Sequence, residues 1–307
     1  MTDVIFTEKL TKHYKDVQAV TEVNLNIKQG EIYGFLGLNG AGKTTTIRML
    51  MGMIRPTGGS AYLFGKKVKP GVSKLWNSVG HMVEIPFAYP ELTVQENLRI
   101  FYRLRLLKDP LLLTTVVEKL DLGKYLNTRV KNLSLGNAQR LGLAKAMIHR
   151  PDLLILDEPA NGLDPAGIVQ IREQLLDLAE NHGVTIFISS HILGEISRFA
   201  SRIGIIHEGR MIRESEVDQL DSSRHRSLQI NTLDNSKALP LLKEHGYNTR
   251  VLPGGILEST HKKAISQPEK VSALLVSHGL PPKLIAVDEE DLEHYFLRII
   301  QTEDQKS

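Results

Sequence analysis

The stretch Gly37-Leu38-Asn39-Gly40-Ala41-Gly42-Lys43-Thr44-Thr45 constrains this chain more than any other. It fits the phosphate-binding pattern G-x-x-x-x-G-K-[ST], and its surroundings fit as well: Glu31 to Leu36 reads as a buried strand and Thr44 to Met53 as a helix. Glycine at 37, 40 and 42 lets successive amides turn inward around phosphate oxygens, and the amino end of the next helix adds unpaired amides and partial positive charge. Lys43 brings a compact cation to the outer phosphates, and the Thr44 hydroxyl is placed to face a magnesium ion. A glycine-rich loop that only turned the chain would need neither the Lys-Thr pair nor the flanking strand and helix.

A second landmark lies far downstream. Leu153-Leu154-Ile155-Leu156-Asp157-Glu158 has the unbroken apolar run of a strand buried on both faces, with two carboxylates at its carboxyl end, where open α/β sheets bind ligands. Asp157 is placed to hold magnesium and Glu158 to accept a proton from an attacking water. Val184 to Ser189 reads as another buried strand, and His191 just beyond it could reach the same phosphate. Leu133 to Arg140 is a polar turn opening a helix that runs to about His149, with Ser134 as a cap and Gly136 permitting close backbone approach. Alone, that turn says no more than a capped helix start. Asn161 to Asp164 turns into a helix with Pro165 at its first position. Tyr14 falls in a polar turn, and its ring could stack on an adenine.

Composition bounds the rest. A chain of 307 residues can hold two domains, each with a core, and 24% charged against 41% hydrophobic residues is the balance of an ordered globular protein. A net charge of +3 is too small to argue for nucleic acid or an anionic membrane surface, and without cysteine there are no disulfides, thiolate metal sites or thiol nucleophiles. Met1 to Tyr14 lacks the apolar core of a secretion signal, and no apolar run approaches the ~18 residues of a spanning helix. Work at a membrane would go through partners.

Between the landmarks, Val23, Leu25 and Ile27 alternate with polar residues as one strand would, Val4 to Glu8 and Ala61 to Phe64 are short strands, and Pro56 to Ser60 is a turn. Val79 to Ile85 is a further strand, stopped by Pro86. Thr93-Val94-Gln95-Glu96 has the form of a capping box and opens an apolar-rich helical stretch. Ile203 to Ile206 is the last strand of the series. Glu214 to His225 is polar, as a linker would be; beyond it the pattern is strand 226–231, helix 236–245, strands 247–252 and 255–259, helix 267–278 and strand 283–287. That β-α-β-β-α-β order suggests a small ferredoxin-like module, followed by a helix with Leu292, Tyr295, Phe296, Ile299 and Ile300 on one face.

The joint order of these motifs resembles the nucleotide-binding subunit of an ATP-binding-cassette (ABC) transporter over about residues 3–215. The resemblance implies an α/β P-loop NTPase cassette: a RecA-like core with a helical subdomain at about 90–150, in a domain spanning 1–215, then a linker at 216–225 and an α+β accessory domain at 226–307. By position, Tyr14 matches the adenine-stacking aromatic, Gly37 to Thr45 the Walker A loop and Leu133 to Asn137 the signature, of which Ser134 and Gly136 remain while Leu135 and Asn137 replace the usual Gly and Gln. Asp157 matches the Walker B magnesium ligand, Glu158 the catalytic glutamate, Asn161 to Asp164 the D-loop and His191 the switch histidine. Glu84 stands where the family usually has glutamine, making it a candidate metal ligand that also brings negative charge towards the γ-phosphate. Glutamate there, with the runs from Ile32 to Gly37 and from Phe187 to Leu193, is similar to the bacitracin and lantibiotic self-protection exporters.

What the resemblance implies is ATP hydrolysis with Mg²⁺ in a head-to-tail dimer, homomeric or heteromeric, in which the signature contacts nucleotide held by the opposite subunit. The dimer would sit at the cytoplasmic face of the membrane on integral-membrane permease subunits, reached through about Glu84 to Leu107, and drive export of an antimicrobial peptide or related amphipathic compound. A soluble cassette protein of translation or DNA repair would carry two cassettes or a long coiled-coil insertion, and neither is present. A sequestering protein with a vestigial ATP site would not need Lys43, Asp157 and Glu158 intact.

Overall fold

Apolar runs without polar interruption are satisfied only by strands covered on both faces, and such runs form the centre of the first of two compact units, Met1–Gln219 and Leu220–Ser307. The computed structural model of the chain describes residues 3–69, 73–84, 88–220 and 224–304. In the first unit the elements are β1 (Asp3–Tyr14), β2 (Val17–Val23), β3 (Asn26–Lys28), β4 (Ile32–Leu36), α1 (Lys43–Leu50), β5 (Gly58–Leu63), β6 (Lys66–Lys67) and β7 (Val79–Met82). They continue with α2 (Val94–Leu104), α3 (Leu111–Lys119), α4 (Leu135–Met147), β8 (Leu153–Asp157), α5 (Pro165–His182), β9 (Thr185–Ser190), β10 (Arg202–His207) and β11 (Arg210–Glu216).

Six strands make the central sheet in the order β11-β10-β4-β9-β8-β7, parallel from β10 to β7 with β11 antiparallel at the edge. Every residue of β4, β8 and β9 is buried. The register pairs Leu36 with Ser190 and Asp157 with Ser189, so three parallel neighbours end level with one another. A separate antiparallel sheet in the order β2-β1-β5-β6, with β3 added to β1, covers the core formed by Ile5, Leu10, Ile27, Phe35, Ile47, Leu50 and Phe187. This is the α/β nucleotide-binding architecture that the sequence pattern implied.

Several boundaries differ from the sequence reading, each for a local reason. The alternation through Val23, Leu25 and Ile27 is split between β2 and β3, because the Thr7 side chain accepts from Leu25 N (2.8 Å) and donates to Val23 O (2.9 Å), replacing ladder bonds at the break. Tyr14 is the last residue of the long β1, paired across the hairpin with Val17, and the turn falls after it. Gly58 to Ser60 belong to β5 rather than to a turn, since β1 is long enough to pair Glu8 with Ser60 and Thr11 with Gly58. Strand β7 stops at Met82, and the expected Ile85 and Pro86 lie outside the described residues. Glu214 to Glu216, read as the start of a linker, are in β11, held by antiparallel pairing to β10; of the remaining linker, 221–223 lies outside the described residues. The helix starts are as the caps require: Thr93 and Glu96 form a reciprocal capping box, and Asp164 caps α5, which Gly183 ends at φ 65°.

In the second unit, β12 (Arg226–Thr232), β13 (Thr249–Val251), β14 (Leu257–Ser259) and β15 (Pro282–Glu289) pair antiparallel in the order β13-β14-β12-β15. Helix Asn235–Glu244 follows the first strand and helix Pro268–Ser277 the third, which is the split β-α-β connectivity of ferredoxin-like modules. Leu228, Ile230, Leu242, Leu257, Val271 and Leu275 are its core. On the last helix, Leu292–Asp304, Tyr295, Phe296 and Ile300 are buried.

Two histidines in the first unit have left water without gaining a counter-charge. His81 on β7 is pushed down to about 4 by burial, then by the Arg105 and Lys145 charges. His149, just past α4, is likewise lowered to about 4, by burial first, although its Nε2 meets Val79 O at 3.1 Å. Both fold as neutral imidazoles, so the folding stability they permit is full above the ordinary value of 6.5 and falls as pH drops towards 4. Each should cost up to ~1.4 kcal/mol per pH unit in that window. Thermal melts from pH 7.5 to 4.5 should show a steepening loss, and His81→Gln should flatten it; a variant curve parallel to wild type would show that His81 does not titrate on unfolding.

Candidate active site

The carboxyl ends of β4, β8 and β9 supply the site because the parallel register brings all three to one edge. Gly42 caps α1 at φ 106° with no side-chain hydrogen bond, which leaves the leading amides of that helix without a capping side chain. A Cβ there would lie 2.5 Å from Ala19 O, so glycine is required by both conformation and space. The result is a cleft of about 580 Å³ walled by Val17 to Ala19 of β2, Leu38, Asn39, Gly40, Gly42 to Thr45, Glu158, and the turn Glu208-Gly209-Arg210.

Lys43 is 6% exposed, and its ammonium donates to Gly37 O (2.6 Å) and Leu38 O (3.2 Å) and pairs with Glu158 Oε1 at 3.2 Å. The other oxygen of Glu158 accepts from His191 Nδ1 at 2.8 Å, which fixes the proton on that nitrogen while the carboxylate is ionised. Glu158 itself has φ 50°, an uncommon conformation for a residue with a side chain. Its amide is held by Ser189 Oγ at 3.0 Å. The Ser189 hydroxyl donates in turn to Asp157 Oδ1 at 2.6 Å, and Thr44 Oγ1 donates to Asp157 Oδ2 at 2.8 Å. Five of the residues singled out in the sequence, Lys43, Thr44, Asp157, Glu158 and His191, are therefore joined in one network.

Thr44 and Asp157 present hard oxygen donors at the start of a phosphate-binding helix. Among the described residues no group of three or more His, Asp or Glu gathers to hold a metal ion. That donor set fits magnesium, which takes one or two protein oxygens and completes its shell with substrate phosphates and water. Glu84 lies apart from the network: its carboxylate is 53% exposed and is taken by Arg48 of α1. Tyr14 is half-exposed at the end of β1, with the Lys12 ammonium 4.9 Å from its ring centroid, beside the cleft wall that begins at Val17.

Ser134, Gly136 and Asp164 form a second group that does not wall this cleft. Ser134 caps α4 by accepting from Asn137 N at 3.3 Å, and Asp164 Oδ1 accepts from Gly167 N at 3.0 Å. Gly136 and Gly162 lie against each other's neighbours: a Cβ on Gly136 would meet Leu163 Cδ2 at 3.2 Å, and one on Gly162 would meet Leu135 Cδ2 at 2.2 Å. The segments around Gly136 and Gly162 thus pack together within one chain.

Sequence reasoning passed over Ser189, although two small hydroxyl residues closing an apolar strand beside a carboxylate pair were a usable signal. It also passed over Val17 to Ala19 and Glu208 to Arg210, which reach the cleft only through tertiary pairing, Thr21 N with Gly209 O (2.8 Å) and Gly209 N with Ala41 O (3.0 Å).

Comparison with known proteins agrees with this geometry. The ABC transporter family profile matches residues 20–161. The bacitracin transport ATP-binding protein BcrA of Bacillus licheniformis is 40% identical over 302 residues, covering 98% of each chain. The lantibiotic transport ATP-binding protein SrtF of Streptococcus pyogenes is 38% identical over 69% of this chain and 90% of its own. Among solved structures, a dimeric ATP-binding cassette in a post-hydrolysis state with ADP and phosphate superimposes with a TM-score of 0.65 at 25% identity, covering 69% of this chain and 98% of that one. Among the described residues no helix is long and apolar enough to cross a membrane. An identity of 40% that runs the length of both chains, on a cleft built for a triphosphate, places the chain in the ABC transporter family, as one of its ATP-hydrolysing subunits.

Proposed function

We propose that this chain energises an exporter that removes an antimicrobial peptide or related amphipathic compound, acting through separate permease subunits at the cytoplasmic face of the membrane. The observation that carries the chemistry is the pairing of one Glu158 oxygen with Lys43 and the other with His191. The peptide cargo rests on the likeness to bacitracin and lantibiotic transport subunits.

Lys43 exchanges its contact with Glu158 for phosphate oxygens, which frees a carboxylate oxygen to orient a water and take its proton. His191 keeps the other oxygen in place and presents its second ring nitrogen to the reaction. Thr44 and Asp157 would hold Mg²⁺, which supplies neutralisation of the phosphate charge. Ser189 fixes Asp157 and the Glu158 amide together, so that water and cation sites stay in register. Tyr14 would stack on the base. Ser134 and Gly136, outside the cleft of their own chain, would complete the site of a second subunit, homologous or identical, in a head-to-tail dimer with Asp164 near the join. The surface offered to the permease includes Leu104 and Leu106, which are 71% and 83% exposed.

Glu158→Gln should retain ATP binding and lose hydrolysis by roughly a hundredfold or more, as read by phosphate release; wild-type turnover would remove Glu158 from the chemistry. Lys43→Ala should weaken nucleotide binding about tenfold to a hundredfold, measured by calorimetry, and unchanged affinity would count against the phosphate-loop assignment. The chain should co-purify from detergent extracts of its own cells with a polytopic membrane protein; absence of any such partner with and without ATP would refute the transporter assignment.

A further inference from the structure

The sheet of the second unit ends on a strand with an open outer side. β15 lies at the edge of the order β13-β14-β12-β15, and among the described residues no other strand pairs with its outer side. Glu290 N donates to His225 O at 2.8 Å, one step beyond the pair Arg226 and Glu289. Antiparallel alternation therefore turns the amides and carbonyls of Ala286 and Asp288 towards β12, and those of Ile285, Val287 and Glu289 outwards. The middle of the strand, Leu284-Ile285-Ala286-Val287, is uncharged, with Leu284 41% and Val287 46% exposed. Its ends carry opposite charge, Lys283 at the start and Asp288-Glu289 at the finish. On the face where Ile285 stands opposite the core residue Ile230, a groove of about 660 Å³ runs between the strand and helix Pro268–Ser277. Ile285, Ser272, Ala273 and Val276 line it, and Val276 is 55% exposed. If the charges only guarded the edge against aggregation, the uncharged middle and the groove would have no part in it.

We infer that β15 pairs with β15 of a second copy of this chain, antiparallel about a two-fold axis through Ala286. In that register Ile285 of each copy forms a hydrogen-bonded pair with Val287 of the other, and Ala286 meets its own copy across the axis, where a small side chain lets the strands close. The basic start of each strand lies along the acidic end of the other, whereas a parallel copy would set like charge against like. The two-fold stands perpendicular to the sheet and keeps the faces in line. Val287 of each copy therefore lies beside Ile285 at the mouth of the other's groove, towards Val276. The pairing takes no nucleotide and stands apart from the chemistry of the first unit.

The test uses the full chain, which has no cysteine of its own, without nucleotide. Sedimentation should show a mass that rises with concentration from one chain to two, and Val276→Lys should weaken the association about tenfold or more, the effect of one buried valine. In the two-fold register Ala286→Cys meets itself in a non-hydrogen-bonded pair, within reach of a disulfide, and should cross-link on mild oxidation. Leu284→Cys or Asp288→Cys alone should not cross-link, while the two mixed should. A chain that stays monomeric to about 0.1 mM, or one in which Leu284→Cys joins itself as readily as Ala286→Cys, would overturn the inference. So would a dimer seen only with ATP and indifferent to Val276→Lys, which would belong to the first unit. Loss of ATP binding would instead overturn the proposed function and leave the cross-links in place. Thermal melts identify any variant that fails to fold, and Ala286→Cys, the mildest of them, then still decides the register.

Discussion

A buried ammonium is the constraint on which the rest of the site depends. Lys43 lies at the amino end of α1 with 6% of its surface exposed, where the helix dipole already carries positive character, so its charge has to be met from close range. Two carbonyls of the loop after β4 meet part of it, and Glu158 from the end of β8 meets the remainder. Those groups come from strands that are not adjacent in sequence or in the sheet; β9 stands between them and contributes Ser189 and, just beyond its end, His191. The order β4-β9-β8 is therefore what makes a single network from residues more than a hundred positions apart.

The same network explains why this arrangement can switch. Glu158 keeps a left-handed backbone because its amide, and both carboxylate oxygens, are held by three different neighbours. Such a residue is over-determined in one arrangement and ready for another when a stronger acceptor for Lys43 is offered. Asp157, by contrast, is 3% exposed and fastened by two hydroxyls, so it is the more tightly buried of the two neighbouring carboxylates. The segments around Leu135 and Gly162 pack on each other, and Ser134, Gly136 and Asp164 do not line the cleft of their own chain.

Much of this was legible in the sequence, for definite reasons. The strand β8 showed as an unbroken apolar run and β4 and β9 as buried strands, helix starts showed as caps at Thr93 and Ser134 and as Pro165 at a first helical position, and the phosphate loop carried its own spacing. What stayed hidden was set by tertiary pairing. Thr7 splits an alternating run into β2 and β3, Tyr14 ends a twelve-residue strand rather than lying in a turn, and β11 takes up residues whose polarity suggested a linker. Ser189 was unremarkable until its hydroxyl was seen between Asp157 and the Glu158 amide. Arg48 was one more helix residue until Glu84 was found against it, because an ion pair between distant segments leaves no periodic mark.

The central claim is that Lys43 gives up Glu158 in order to take phosphate. Calorimetric affinity for Mg-ADP, a nucleotide that binds without being hydrolysed, tests it most directly when wild type is compared with Glu158→Gln. Replacing the carboxylate by a neutral amide removes the competitor for Lys43, so the variant should bind roughly threefold to tenfold more tightly. Equal or weaker affinity would contradict the exchange and leave the Lys43–Glu158 contact as packing alone.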